Sequence, residues 1–415
     1  MIFALLAILL IGTPLFIVIA VNALLRYHAA DIDLSALIID FYGLAETPII
    51  LAIPLFTLAG YLLSASEAPS RLVRLTNALL GWMPGGLAIV TLITSALFAA
   101  FTGVSGINII ALGPLLLPAL VQARYADRFS LGLITTAGSV GLLIAPSLPL
   151  ILYAVIAQQP VDQLFLAGLL PALLIICVLA AFSFANSPHR TLQEKGWSWQ
   201  EVGGAIREAA WELPLPFVVL GGIYSGRFAV SDAAVVTLLY VFIVEVLIHR
   251  EIRWSELPRI VRDCMIMVGG ILMLLGVSLA STDVMIDQGV PQKLLEMLSG
   301  SVETRVGFLC LLLLFFLVLG AIVDIFSAIV LVVPLLMPAA QEFGVHPVHL
   351  GIMLIAAMEL GYITPPFGLN LFISSYRFER PITNVFRSTV PFYVVQLVAV
   401  IVIVAWPALS LWWAN

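Results

Sequence analysis

Long apolar runs separated by short polar connections make up almost the whole chain. Such runs recur from Met1 to Trp413, and crossing a bilayer takes about 20 mostly apolar residues. No polar stretch between them is long enough to fold by itself. The pattern therefore predicts an all-α polytopic membrane protein in which residues 1–415 form a single domain surrounded by the lipid bilayer.

The first apolar run extends from Ile2 to Leu25. It lacks the preceding basic segment and the small-residue cleavage site of a secretory signal, so we expect it to remain as a helix. Composition strengthens the membrane assignment. The chain is 62% hydrophobic and 10% charged, whereas soluble domains have roughly 45–50% apolar and about 25% charged residues.

An internal repeat becomes visible when the two halves of the chain are compared. The longest polar stretch predicts a cytoplasmic connection over residues 187–212 between a first half, 1–186, and a second half, 213–415. The first half contains GPLLLPA at Gly113 to Ala119, and the second contains VPLLMPA at Val333 to Ala339. At similar distances downstream, Pro146 corresponds to Pro365. Ordered matches of this kind indicate a duplicated unit.

Each half also contains a predicted helical hairpin, over about residues 85–121 and about residues 306–341. The basic residues Arg71, Arg74, Arg124 and Arg128 flank the first hairpin, whereas only Lys293 and Arg305 flank the second. By the positive-inside rule, the first hairpin is re-entrant from the cytoplasm and the second from the outside. Inverted repeats with broken helices are the build of secondary transporters. The side of the membrane on which the N-terminus lies stays open.

A helix break follows each hairpin, at Gly141 to Pro149 and at Gly361 to Asn370. Proline removes a backbone donor and frees carbonyl groups about one turn earlier. In hydrocarbon, such carbonyls cost several kcal/mol each unless a partner satisfies them. A bound cation, water or a neighbouring helix can be that partner, and packing kinks without any function are the alternative.

The hairpin tips supply further oxygen ligands for the two breaks. Carbonyls and hydroxyls with at most one carboxylate suit an alkali cation better than a transition metal, so we predict two sodium sites. The first comprises Gly103, Ser105, Gly106, Asn108, Gly141, Ala145 and Ser147. The second comprises Asp324, Ser327, Gly361, Thr364 and Asn370. Helix N-termini favour an anion between them, with the predicted substrate residues Ser105, Asn108, Ser147, Thr364, Pro365 and Asn370.

Two further carboxylates have open roles. Glu359 is either functional or placed on a solvated or helix-packing face, and Glu245 is expected at the membrane interface near a segment end. Motifs for catalysis are absent from the sequence. The only lysines, Lys195 and Lys293, stand outside any phosphate-binding loop, and there is no H-E-x-x-H zinc motif. We therefore expect no enzyme activity, no organic cofactor and no nucleic-acid partner.

Several segments together resemble a known family. They are AIPLFTLAGYLL at Ala52 to Leu63, the tip FTGVSGINIIALGPLLLP, the break APSLPLILY and the closing TPPFGLNLF. Over nearly the whole chain, the sequence is similar to the large membrane subunit of tripartite ATP-independent periplasmic (TRAP) transporters. The resemblance implies an elevator-type, sodium-driven importer in the bacterial inner membrane. It further implies a separate small four-helix membrane subunit and a soluble periplasmic binding protein that delivers an organic acid.

Carried over by resemblance, Ser105 falls on the first hairpin tip and Asp324 on the acidic position of the second. Two departures affect the first site: many members have Gly-Ser-Ser at the tip and Pro-Pro-Ser at the break, whereas this chain has GVSG and APS. Two alternatives remain. One is a stand-alone elevator symporter or antiporter that binds its substrate directly, and the other is a membrane enzyme or scaffold.

Overall fold

A computed structural model describes residues 13, 15–29, 31–83, 85–187, 198–299 and 304–414. Over these residues the protein is helical and contains no β-strand. Within the described residues, eight helices are long and apolar enough to cross a bilayer, or nine if a bent pair counts as one further span. The prediction of an all-α polytopic protein is thus confirmed. Of the predicted helix over Ile2 to Leu25, residues 15–25 are helical, and residues 2–12 and 14 lie outside the described residues.

The helices of the first half and of the connection are as follows: α1 Leu15–Ala29, α2 Ser35–Ala45, α3 Ala52–Ala65, α4 Ala68–Leu80, α5 Gly86–Thr102, α6 Ser105–Gln122, α7 Asp127–Ala137, α8 Leu148–Ala157, α9 Val161–Ala185 and α10 Trp199–Glu208. Those of the second half are α11 Pro214–Tyr224, α12 Val230–Phe242, α13 Leu257–Asp287, α14 Val290–Ser299, α15 Arg305–Ile322, α16 Ile325–Glu342, α17 Pro347–Gly361, α18 Leu369–Arg377 and α19 Ile382–Ala405. A π-helical turn, Ile243–Ile248, extends α12.

Pairs of helices occupy the positions of the two predicted hairpins. Helices α5 and α6 are joined at Gly103, whose φ of 66° lies in the left-handed region that glycine adopts without strain. Helices α15 and α16 are joined through Val323 and Asp324. The first pair packs arm against arm, whereas α15 packs mainly on α17. Insertion of the two pairs from opposite sides of the membrane stays a prediction.

The two predicted breaks interrupt helices where the proline clusters occur. In the first, α7 is followed by a 3₁₀ turn at Val140–Leu143, and α8 starts at Leu148 with a bend of 42°. In the second, α17 ends at Gly361 and α18 starts at Leu369. The peptide bonds Ala145–Pro146 and Pro365–Pro366 are cis.

The helices next to the breaks form the centre of the molecule. Every residue of α17 from Val348 to Gly361 is buried, as is every residue of α8 from Leu148 to Ala154. Burial extends all round α17, which is enclosed by α8, α9, α15, α16 and α19. Outer helices expose large apolar side chains, as lipid contact requires, among them Leu173, Leu239, Ile266, Leu314 and Val398.

The described part of the polar connection folds onto the first half. Helix α10 buries Ala205, and Ala209 follows it, both against Leu75 of the amphipathic helix α4. On the exposed side of the same contact, Arg74 of α4 pairs with Glu208. The connection is therefore a packed element and not only a solvated linker, because its apolar stripe has a matching partner.

A buried ionic cluster lies beside this contact. Arg71 donates from Nε to Glu212 at 2.6 Å, from a terminal nitrogen to Glu245 at 3.1 Å, and to Glu251. Glu245 lies near the end of its segment, as predicted, but its side chain is fully enclosed by protein. Burial raises the pKa of Glu251, yet hydrogen bonds from the Glu67 amide and from Arg71 outweigh burial and hold that pKa below its usual value.

Candidate functional site

The first hairpin tip lies directly against the first break. A Cβ atom on Gly103 would lie 2.7 Å from Leu148 Cγ, at the start of α8. A Cβ atom on Gly141 would lie 2.4 Å from the Ala96 carbonyl oxygen of α5. Both separations are too short for any side chain, so these glycines permit the close approach of tip and break.

Asn108 of α6 joins the tip to the first broken helix. Its side-chain Nδ2 donates to the carbonyl oxygens of Ser95 at 2.8 Å and Gly138 at 3.1 Å. Its Oδ1 is buried and has no hydrogen-bond partner among the described residues. The Oγ of Ser105, one turn earlier, is buried and unpartnered in the same way. Asn108 therefore leaves one acceptor oxygen, and Ser105 one hydroxyl, without a partner among the described residues.

Asn370, which the sequence assigns to the second ion site, lies against the first broken helix. Its Nδ2 donates to the Thr135 carbonyl oxygen at 3.2 Å, and a Cβ atom on Gly138 would lie 3.4 Å from that nitrogen. Its Oδ1 is also buried and unpartnered among the described residues. Because Asn108 also bonds to Gly138, the two asparagines meet at one backbone position from the two halves of the chain.

Thr136 is a further candidate that sequence reasoning missed. Its Oγ1 is buried without a partner in the described part of the chain, two residues before Gly138. The neighbouring Thr135 hydroxyl instead bonds to the Leu131 carbonyl at 2.7 Å and to Ser374 Oγ at 2.9 Å. A pair of threonines just before a glycine-rich break was the available signal. We name the group Ser105, Asn108, Thr136 and Asn370 the central oxygen cluster.

The remaining residues of the predicted first site line the same break. The Ser147 hydroxyl donates to the Leu142 carbonyl oxygen, so it satisfies a backbone group at the break. Ala145 is buried beside it. Gly106 faces Ile373 of α18, where a Cβ atom would lie 2.5 Å from Cδ1. These residues hold the tip, the first break and α18 together.

Asp324 forms the tip between α15 and α16. Its Oδ2 accepts hydrogen bonds from the amides of Phe326 and Ser327, both at 3.0 Å, and its Oδ1 accepts from Ser327 Oγ. This arrangement is a helix N-cap, in which a side-chain oxygen satisfies amides that have no partner in the first turn. The side chain is exposed, so its remaining acceptor capacity can be reached by an ion.

The second break is attached to this tip by its backbone. The Phe367 amide donates to the Ala321 carbonyl oxygen at 3.0 Å. A Cβ atom on Gly361 would lie 2.4 Å from the Gly320 carbonyl carbon. The Thr364 hydroxyl donates to the Leu360 carbonyl at 2.7 Å. Pro365 is exposed at the surface of the break.

The two groups differ in charge. The central oxygen cluster contains only hydroxyl and amide oxygens, whereas the second tip offers one carboxylate, Asp324. Helices α6 and α16 both start at their tips, and α8 and α18 both start at their breaks, so four partially positive helix ends are gathered around these groups. This arrangement can bind a cation through oxygens and an anion through helix ends.

Gly361→Ala is expected to lower stability by roughly 1–3 kcal/mol or more, because the added methyl group overlaps the Gly320 backbone. The matched control is Gly269→Ala in α13, where nothing lies within 4 Å of the added atom and the gain in helix propensity is up to about 1 kcal/mol. Thermal unfolding of the detergent-purified variants measures both. Equal melting temperatures for the two variants would contradict the close packing of break and tip.

A helical polytopic chain whose broken helices meet the tips of helix pairs has the build of a secondary transporter. Residues 1–409 match the family described as the DctM component of the tripartite ATP-independent periplasmic transporters. This match covers nearly the whole sequence, and the chain belongs to that family.

Curated relatives agree with this assignment, and they are transporter permeases, not enzymes. The chain is 30% identical, over 98% of its length, to the isethionate TRAP transporter permease protein DctMQ of Oleidesulfovibrio alaskensis, of which it spans 65%. It is 31% identical to the C4-dicarboxylate TRAP transporter large permease protein DctM of Pseudomonas aeruginosa, with 91% of this chain and 89% of that one covered. It is 28% identical to the ectoine large permease protein TeaC of Halomonas elongata, with 99% and 97% covered.

A solved structure is similar in fold. The YdaH transporter of Alcanivorax borkumensis, described as having an unusual topology, superposes with a TM-score of 0.63 at 13% sequence identity, covering 90% of this chain and 87% of that one. At this identity the likeness concerns the fold alone. It agrees with the multi-pass membrane architecture.

Proposed function

We propose that this chain is the sodium-coupled permease of an importer for a small organic anion in the bacterial inner membrane. A periplasmic binding protein delivers the anion, and a small four-helix membrane subunit accompanies the chain. The two helix pairs and the two broken helices move together as an elevator against the remaining helices.

The observation that carries this proposal is the central oxygen cluster. A buried acceptor without a partner costs about 1–3 kcal/mol, and the cluster has four such atoms. The amide donors of Asn108 and Asn370 are engaged by backbone carbonyl oxygens, so their Oδ1 atoms can only accept, and amide and hydroxyl oxygens together are hard ligands that suit an alkali cation. The cluster lies where both halves of the chain meet, which favours coupling between an ion and a substrate.

The single carboxylate at Asp324 supports a second cation near the second break. With Asn370 placed in the central oxygen cluster, the second site in this proposal comprises Asp324, Ser327, Thr364 and the backbone around Gly361. The helix starts of α6, α8, α16 and α18 support an anionic substrate. Two of the named relatives act on anions, isethionate and C4-dicarboxylates, and the ectoine relative shows that the family name alone does not fix the substrate.

The test is uptake of labelled carboxylates into proteoliposomes that contain this chain and the small subunit, with candidate binding proteins outside. We expect uptake that requires both an inward sodium gradient and one binding protein. Uptake that ignores the sodium gradient would contradict the coupling. Full uptake without any binding protein would instead favour a stand-alone symporter or antiporter.

A further inference from the structure

The arms of the two helix pairs pack differently. Helices α5 and α6 pack against each other, whereas α15 and α16 make few contacts with each other. Helix α15 packs instead on α17, and α14 packs on α16. The arms of the second pair therefore leave a space between them, with α14 at its edge.

This space is a cavity of about 380 Å³, which we name the arm slot. Its size falls within the roughly 300–1,000 Å³ of ordinary ligand pockets. Every lining residue is apolar, and the lining includes Leu294, Phe308, Leu312, Phe315, Val332 and Leu335. Phe308 and Leu312 are buried, whereas Phe315 and Met297 are exposed. The arm slot therefore opens to the outside of the molecule.

A cation stands at one end of the arm slot. The lining residues of α15 continue one helical stripe toward its N-terminus, with the three- and four-residue spacing of a single helix face. The stripe comprises Arg305, Phe308, Leu312 and Phe315. At about 1.5 Å per residue, Arg305 lies roughly 15 Å from Phe315 along the helix axis. This length matches one lipid leaflet, half of a hydrocarbon core that is about 30 Å thick.

A second cation, Lys293, lies near the same end. It precedes the lining residue Leu294 on α14, and α14 ends only a short connection before Arg305. Both cations are exposed, and neither forms an ion pair with another described residue. Glu296 of α14 is exposed as well. Two cations against one carboxylate leave this end of the slot positively charged.

We propose that the arm slot binds an anionic phospholipid from the surrounding bilayer. One acyl chain lies between α15 and α16, and the phosphate group lies at Arg305 and Lys293. Charge complementarity favours this occupant, because an apolar helix of a partner protein would fill the slot and leave both cations unpaired. Each basic side chain at a membrane surface favours an anionic lipid headgroup roughly fivefold. The inference requires a membrane protein and does not depend on the proposed transport function.

The test is thermal unfolding of the detergent-purified full-length chain with its small subunit, titrated with palmitoyl-oleoyl phosphatidylglycerol. The zwitterionic phosphatidylcholine with the same two chains is titrated in parallel. A ligand that binds the folded protein raises the melting temperature by mass action. We expect a half-saturating concentration at least about tenfold lower for phosphatidylglycerol, since two cations contribute. Equal half-saturating concentrations for the two lipids would overturn the proposal.

The double variant Lys293→Gln with Arg305→Gln removes both charges from the end of the slot. We expect its half-saturating concentration of phosphatidylglycerol to rise to that of phosphatidylcholine, with the phosphatidylcholine value unchanged. Arg227→Gln, which removes an exposed cation between α11 and α12, is the control and should bind both lipids as the wild type does. A double variant that keeps the wild-type preference would contradict the headgroup site.

Val332→Phe tests the position of the acyl chain. The added ring occupies space that the chain needs, so the half-saturating concentrations of both lipids should rise by at least about tenfold. Val394→Phe is the control, because Val394 of α19 is exposed and lies outside the lining of the slot. Equal binding by these two variants would overturn the slot as the lipid site. A lipid effect that appears only when the small subunit is omitted would assign the slot to that subunit instead, and would also overturn the proposal.

Discussion

Asp324→Asn is expected to raise the half-saturating sodium concentration of uptake by at least about tenfold, which corresponds to about 1.4 kcal/mol. A unit charge about 4 Å from a cation contributes roughly 4 kcal/mol at an effective dielectric constant near 20, and solvent exposure of the tip reduces this. Asparagine caps a helix about as well as aspartate. The variant should therefore keep the amide hydrogen bonds of Phe326 and Ser327 and lose mainly the charge.

The matched control is Asp232→Asn, at the start of α12. Asp232 Oδ2 also accepts a backbone hydrogen bond, from Ala229 at 3.2 Å, but it belongs to neither helix pair. The half-saturating sodium concentration of Asp232→Asn should equal that of the wild type.

Thr364→Val should raise the half-saturating sodium concentration less than Asp324→Asn does, since it removes one neutral oxygen. If both Asp324→Asn and Thr364→Val titrate like the wild type, the second cation site is wrong.

Arg71→Met is expected to lower the free energy of unfolding by about 3–5 kcal/mol, because it leaves buried carboxylates without their common partner. Arg71 bonds to Glu212, Glu245 and Glu251, and the first two are almost completely buried. Methionine retains much of the volume of the arginine side chain, so the loss in free energy of unfolding measures the contribution of the Arg71 charge and its hydrogen bonds. Thermal and denaturant unfolding in detergent measure it.

Arg74→Met is the control on the same helix. Arg74 pairs with Glu208 at an exposed position, with about half of each side chain accessible, and exposed pairs contribute about 0–1 kcal/mol.

The difference between Arg71→Met and Arg74→Met in the free energy of unfolding should shrink as the pH falls. Arg71 helps to keep the pKa of Glu251 low, so this stabilisation is present above the unfolded-state pKa of the group and disappears as the pH falls through its folded-state pKa. Equal losses for Arg71→Met and Arg74→Met would contradict the role of the buried cluster.

The helix pairs and breaks were predictable because they depend on local chemistry. Prolines cannot continue the hydrogen-bond pattern of a helix, and Gly103 and Asp324 are residues that end or begin helices. Apolar runs of spanning length identify the helices without any knowledge of their neighbours. These properties belong to short segments, which a single sequence displays directly.

The partners of individual side chains were not predictable in the same way. Asn370 follows the second break in sequence, yet it bonds to Thr135 of the first broken helix. Glu245 and Arg71 are far apart in the chain and meet only because α4 packs beside the end of α12. Nothing in the periodicity of either segment encodes that pairing.

The membrane class, the helical architecture, the positions of the tips and breaks, and the family could all be inferred from the amino-acid sequence alone. Only the packed helices reveal that the side-chain amides of Asn108 and Asn370 both approach Gly138, that Glu359 lies against Gln396, and that Gly361 packs against Gly320. The physical reason is that helix formation and membrane insertion are summed over neighbouring residues. A binding site, in contrast, depends on which atoms remain without partners after helices from both halves of the chain have packed together.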